Sequence, residues 1–287
     1  MTAAELVILA FKVSILCTVF GFGLKASIDD LLYLARHPGL LARSVTGMLL
    51  VMPVLAMLAA NLLSLRHATE VVLVALAISP VPPLLPKRQA KGGGEQSYGL
   101  GLMAWCALLS IVVIPIWVTF LGRFFGHTFV VSPRTIASVI LTAAIAPLLA
   151  GMMVRALLPA LANRLAHPVQ QIAAVLLPLA VTAMLAGAWR PLWEAVGDGT
   201  ILALATFIVA GLAVGHMFGG PHPEHSVVLA LSTACRHPAI ALAIASSNFP
   251  GERFGGTILL YLILNALLGL PYLAWQRRRQ SAAGLTA

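Results

Sequence analysis

Residues 71–94 read VVLVALAISPVPPLLPKRQAKGGG, and residues 227–247 read VVLALSTACRHPAIALAIASS. Each begins as an apolar helix and then breaks. Pro80, Pro82, Pro83 and Pro86 fall within seven residues of the first, and an interior proline deletes a hydrogen bond and clashes with the preceding turn. The second places Ser232, Thr233, Arg236, His237 and Pro238 in the middle of an apolar run. Irregular backbone inside a membrane is tolerated only against protein or beside a water-filled cavity.

The composition makes the membrane unavoidable. Of 287 residues, 60% are apolar and 9% are charged, against about 45–50% and about 25% in a soluble domain. The mean hydropathy is +0.97. Apolar runs lie at about 4–24, 39–63, 69–86, 99–121, 135–158, 168–188, 199–219, 225–247 and 254–275. At about 20 residues per span they predict an all-α polytopic bundle of about nine transmembrane helices. Pro38, Pro133 and Pro168 are placed at span starts, and Gly122, Gly126, Gly219 and Gly220 after span ends. The start, Met1-Thr2-Ala3-Ala4-Glu5, lacks a basic n-region, so the first run reads as a retained span.

A net charge of +9 raises the question of nucleic acid, but there is no basic stripe with interleaved aromatics. Lys and Arg sort instead by loop. Lys25, Arg36, Arg43, Lys87, Arg88, Lys91, Arg155, Arg164 and Arg277–Arg279 fall on one side, and Arg66, Arg123, Arg134, Arg190 and Arg253 on the other. Eleven against five puts the C-terminus in the cytoplasm and the N-terminus outside, in a cell inner membrane. Lys12 and Arg236 lie within spans. Cys17, Cys106 and Cys235 are too widely spaced for a zinc pattern or a disulfide framework.

The two broken segments are related. A shift of 156 residues places Val71-Val72-Leu73 on Val227-Val228-Leu229, Pro82 on Pro238, Gly99 on Gly255, Pro115 on Pro271 and Arg123 on Arg279. We read two inverted repeats, about 4–123 and 133–279, followed by a short cytoplasmic tail at 280–287. The run at 135–158 has no counterpart in the first copy, so the first helix of repeat one is absent. Repeats with discontinuous helices in corresponding positions point to a secondary transporter, its site at the breaks near the midplane.

Three stretches carry a resemblance. GFGLKASIDDLLYLARHPGLLARSVTGMLLVMPVLAML at 21–58, STACRHPAIALAIA at 232–245 and LNALLGLPYLAW at 264–275 resemble the bile acid:sodium symporter family. The resemblance implies two crossing broken helices in a core domain, a smaller panel domain, and alternating-access transport of an organic anion. The departures fall on the family's sodium ligands. Met48 stands at its glutamine, Ser232 at its glutamate, Arg236 at its second glutamine, and Ser79–Pro86 replaces its polar first crossover. Sodium coupling is therefore possible but not favoured, and no cofactor is expected.

Arg236 has no Asp or Glu deep in a span to neutralise it, and an intramembrane charge is by default functional. It reads as an anion-binding group, or as a structural cation bonded to carbonyls in place of sodium. His237 is a proton relay or a pre-proline residue like His37, His167 and His222. Ser232 and Thr233 read as ligands or as hydroxyls bonded to their own helix. Asn265, in an Asn-x-x-x-Gly pattern, lines the family's cavity or joins two helices. The helix breaks centre on Ser79, Pro80, Pro82 and Pro238. Lys12 reads as structural, and His216, His222, Glu224 and His225 are too irregularly spaced for a zinc site. The expected function is transport of a small organic anion through a lipid bilayer. A proton-coupled or uncoupled exporter of an organic or metalloid anion, the latter using Cys235, remains open. An intramembrane enzyme is more distant, because no nucleophile–base or carboxylate pair is visible at depth.

Overall fold

In the structure, a computed structural model, residues 2–125, 129 and 131–282 are described. Gly126 and the tail beyond 282 lie outside them. All regular elements among the described residues are helices, and eight helices are long and apolar enough to cross a membrane. The ninth run expected from the sequence is the broken pair α5 (His67–Ile78) and α6 (Leu85–Lys91).

Local chemistry sets most boundaries. In α1 (Ala3–Gly23) the Glu5 N–H donates to Thr2 Oγ1, and the Thr2 N–H to Glu5, a reciprocal cap. The short helix α2 (Ile28–Arg36), not expected as a separate element, has the same box through Ser27 and Asp30. Pro38 and Pro133 open the next spans as expected. The fifth expected span, however, does not begin at Pro168. Helix α10 (Pro159–Gly187) starts nine residues earlier, with Pro168 and Pro178 inside it. Pro159 already supplies the favoured first-turn proline.

Two spans carry a π-helical turn just before a proline. One joins α3 (Pro38–Val45) to α4 (Met52–Leu62) through Thr46–Val51. The other joins α8 (Pro133–Ile140) to α9 (Ala146–Leu157) through Leu141–Ile145. A proline cannot return a hydrogen bond to the carbonyl four residues back, so Pro53 releases the Leu49 oxygen. The indole of Trp117, on α7 (Gln96–Phe125), donates to that oxygen at 2.8 Å.

The helices form two groups. Helices α1, α8–α9 and α10 make the smaller one, packed through small residues. Gly23 of α1 lies against the backbone of Leu148 and Gly151, and the Ser14 hydroxyl donates to the Ala173 carbonyl at 3.1 Å. The larger group holds α3–α7, α12 (Thr200–Gly219), α13 (Pro223–Ala234), α14 (Pro238–Asn248) and α15 (Gly255–Ala282). A one-turn helix, α11 (Trp189–Glu194), leads into it. Gly211, Gly215 and Gly219 form one edge of α12 and bring it against the backbone of Ala234, Ala230 and Ser226 on α13. That spacing is the small-residue motif of close helix pairs in membranes.

Helices α5 and α13 are each 12 residues long, and both their ends are offset by 156. Helix α5 packs against α14, and α6 against α13. The two broken helices therefore cross, and the His237 N–H donates to the Pro80 carbonyl at 2.9 Å where they meet.

Candidate functional site

Arg236 sits at the crossing with none of its surface exposed. Proline on one side and a helix C-terminus on the other leave carbonyls there without partners. The guanidinium is engaged by three of them. Nε donates to the Thr233 oxygen at 3.2 Å, one terminal nitrogen to the Ser79 oxygen at 3.0 Å, and the other to the Met48 oxygen at 2.5 Å. These carbonyls come from the end of α13, the break after α5 and the π-turn before Pro53. No carboxylate among the described residues takes part.

The neighbouring predicted residues are also engaged inside the protein. The Ser232 hydroxyl accepts from Gln89 Nε2 at 2.7 Å, and the same nitrogen donates to the Val228 carbonyl at 3.0 Å. The Thr233 hydroxyl donates to the Leu229 carbonyl, the local pattern expected of Thr in a membrane helix. The Ser79 hydroxyl donates to the Ala75 carbonyl at 2.6 Å. His237 is buried, and its Nδ1 has no hydrogen-bond partner among the described residues. Pro80 and Pro238 form the two breaks, and Pro82 opens the turn into α6.

Asn265 lies one layer away, buried rather than lining open space. It donates to the Ala234 carbonyl at 2.9 Å and accepts from Arg88 at 2.8 Å. Arg88 also donates to the main-chain oxygens of Asn265 and Ala266 at 2.9 and 3.2 Å. The Tyr261 hydroxyl accepts from the Arg236 N–H at 2.6 Å and donates to the Ala234 oxygen at 2.8 Å. Arg88, Gln89 and Tyr261 thus belong to the crossing and carry no pattern that a sequence reading would single out.

Between the three-helix group and α6 is a small crevice of about 50 Å³ lined by Thr18, Phe22, Gln170, Ala173 and Lys87. Lys87 is half-buried there, without a hydrogen bond or ion pair among the described residues. Lys25 reaches the same Gln170 at 3.4 Å. Lys12 is exposed on α1.

The rings of His222 and His225 are in contact, with centroids 5.2 Å apart, but the histidines near α13 form no metal-holding group among the described residues. His225 meets the Tyr33 hydroxyl at 3.0 Å, His222 lies 3.8 Å from Glu224, and His216 meets the Tyr272 hydroxyl at 3.0 Å. The three cysteines are free thiols. On α2, outside the spans, burial pushes the Asp30 carboxyl up. Hydrogen bonds from Ser97 and Ser27, with Arg155 nearby, outweigh that and hold it below the ordinary carboxylate value.

The chain belongs to the sodium bile acid symporter family, whose model matches residues 13–194. Among curated proteins, none matches the chain. The matched segment includes the first crossover and ends before α12, so Arg236 lies outside it. Members of the family are transporters and not enzymes, which makes this chain a multi-pass membrane transporter of a small molecule.

Proposed function

We propose that this protein carries a small organic anion by alternating access without sodium, with Arg236 as a built-in cation at the crossing. The observation behind this is the trio of Met48, Ser79 and Thr233 carbonyls converging on one guanidinium. Carbonyl oxygens are what a hard cation requires, and here a covalently attached charge holds them. A second unit charge 4 Å away would meet a repulsion of about 4 kcal/mol at an effective dielectric of about 20. That is close to a thousandfold in affinity, enough to remove sodium binding at physiological concentration.

With each guanidinium nitrogen of Arg236 already donating to a main-chain oxygen, the substrate's negative charge is met by Lys87 in the crevice between the two helix groups. Lys87 belongs to the half-helix immediately after the first break, so movement of the larger group carries it with the crossing. His237, Ser232, Thr233 and Asn265 hold the crossing together and do not contact substrate. The orientation is N-terminus outside and C-terminus cytoplasmic, in the inner membrane of the cell. In support, four residues of the eleven-charge side meet one another in pairs. Arg277 donates to the Lys91 carbonyl at 2.6 Å, and Arg155 to that of Lys25.

Uptake of a labelled organic acid into proteoliposomes tests this reading, the acid being chosen by the thermal stabilisation it confers. Sodium is replaced by potassium or choline at constant pH and membrane potential. Flux persists if Arg236 replaces the ion, and loss of most of it restores sodium coupling.

A further inference from the structure

A second cavity, of about 240 Å³, lies inside the larger helix group at the end of the bundle opposite Lys91. It holds several times a water molecule's share of liquid volume, about 30 Å³. Its residues on α5 recur along one helical face from His67 to Ile78, a length of about 16 Å at 1.5 Å per residue. Polarity changes along that length. His67 and Glu70 stand at the outer end, while Val74, Ile78 and Val118 line the deep end. Phe125, Phe129 and Phe249 close the outer wall.

The outer end carries one carboxylate, that of Glu70, which no charged group among the described residues pairs with. His67 is paired with Glu252 at 2.7 Å, and Arg66 is 3.4 Å from Asp198. Glu70 takes part in none of the ion pairs among the described residues. Its place in the first turn of α5 suits an acid through the helix dipole, which accounts for the residue but not for the hollow beside it.

The internal duplication shows that the hollow is not a necessity of the fold. At the offset of 156, the ends of α7 and α14 correspond to the end of α15 and the end of α6. There the Gln280 amide donates to the Gly93 carbonyl at 3.2 Å, and Gly92, Gly93 and Gly94 lie directly against Leu273, Gln280 and Val228. The same elements on the other side of the membrane leave an open, aromatic-walled slot.

We infer that this slot binds an amphipathic organic cation, its ammonium head at Glu70 and its apolar tail running toward Ile78. A carboxylate and aromatic faces are complementary to an ammonium, and an apolar cavity offers an alkyl tail the hydrophobic gain of leaving water. Ile78 precedes Ser79, whose carbonyl holds Arg236, so the tail ends beside the crossing. The ligand is opposite in charge to the proposed substrate, and the site is separate from the Lys87 crevice.

Three probes with one tail test this: octyltrimethylammonium and octanoate, each below its micelle concentration, and octanol, below its solubility limit, with the protein in lipid nanodiscs. Binding is followed by thermal shift. The cation should bind at least ten times more tightly than octanol, and octanoate more weakly than either. Glu70→Gln should abolish the preference for the cation and leave octanol binding unchanged. Val74→Phe, which fills the deep end, should weaken cation and octanol alike. Equal binding of cation and octanol to the unaltered protein, or a preference that survives Glu70→Gln, overturns the inference and makes the slot a lipid-chain groove.

Discussion

The Arg236 guanidinium donates to the Ser79 carbonyl oxygen at 3.0 Å, across 157 positions of sequence. One hydrogen bond thus ties the break of the first discontinuous helix to that of the second. The neighbouring donor reaches Met48, so a single side chain closes three gaps in the backbone hydrogen-bond pattern.

Removing that side chain strands the oxygens of Met48, Ser79 and Thr233 in the interior. A buried acceptor left unpaired costs about 1–3 kcal/mol. Arg236→Gln should therefore lower the melting temperature in detergent sharply. Arg236→Lys should recover only part of it, because an ammonium lacks the planar fork of donors. A stable Arg236→Gln protein with weakened substrate binding would return the residue to the role of anion ligand.

Lys87 has no hydrogen-bond or ion-pair partner among the described residues to lose. Lys87→Gln should leave thermal stability within about 0.5 kcal/mol, as for most surface changes. It should reduce anion affinity about tenfold or more, measured by substrate-induced thermal shift. Unchanged affinity would move the substrate away from the crevice.

At Gly215 a side chain would run into Ala230 and the Leu229 carbonyl of α13. Gly215→Leu should separate α12 from α13 at a cost of about 3 kcal/mol or more. The readout is loss of the monodisperse peak in size-exclusion chromatography. Gly39→Ala, with nothing within 4 Å of the new carbon, is the control and should be tolerated.

Asp30 anchors α2 to the start of α7 through the Ser97 hydroxyl at 2.6 Å. Its carboxyl lies below the ordinary 3.8 in the folded protein. The contribution is therefore complete above that value and lost as pH falls through the folded one. The gap in melting temperature between the unaltered protein and Asp30→Asn should be full at about pH 5 to 7. It should close progressively below about pH 4, the unfolded range of a carboxylate.

Fusion reporters test the orientation. A cytoplasmic reporter after Ala287 should be active, and the same reporter in the loop between α7 and α8 inactive. The opposite result at both points inverts the topology.

Much of this architecture depends on local rules, and for that reason it was legible in the sequence. Apolar run length sets a span, a proline cluster stops a helix, and Lys and Arg sort by loop. Both breaks therefore stood in the primary structure, together with the offset of 156 that relates them. Gly219, read from the sequence as following a span, is instead the last of the glycine edge Gly211, Gly215 and Gly219 within α12. The start of α10 was misplaced at Pro168 because a proline signals a first turn and cannot say that an earlier proline has already supplied it.

What surrounds Arg236 was decided only by the tertiary structure. A guanidinium at mid-span announces that acceptors must exist, since a buried charge without partners is untenable. It does not say whether those acceptors belong to a ligand or to the chain. The three carbonyls are contributed by residues 3, 157 and 188 positions away. Two of those contacts come from packing the π-turn Thr46–Val51 and the break after α5 against the end of α13, and no periodicity along the chain encodes such a distance. Asn265 is the same case, because its partner Arg88 lies 177 positions away. The hollow beside Glu70 is a third, since it exists only where four helix ends fail to meet.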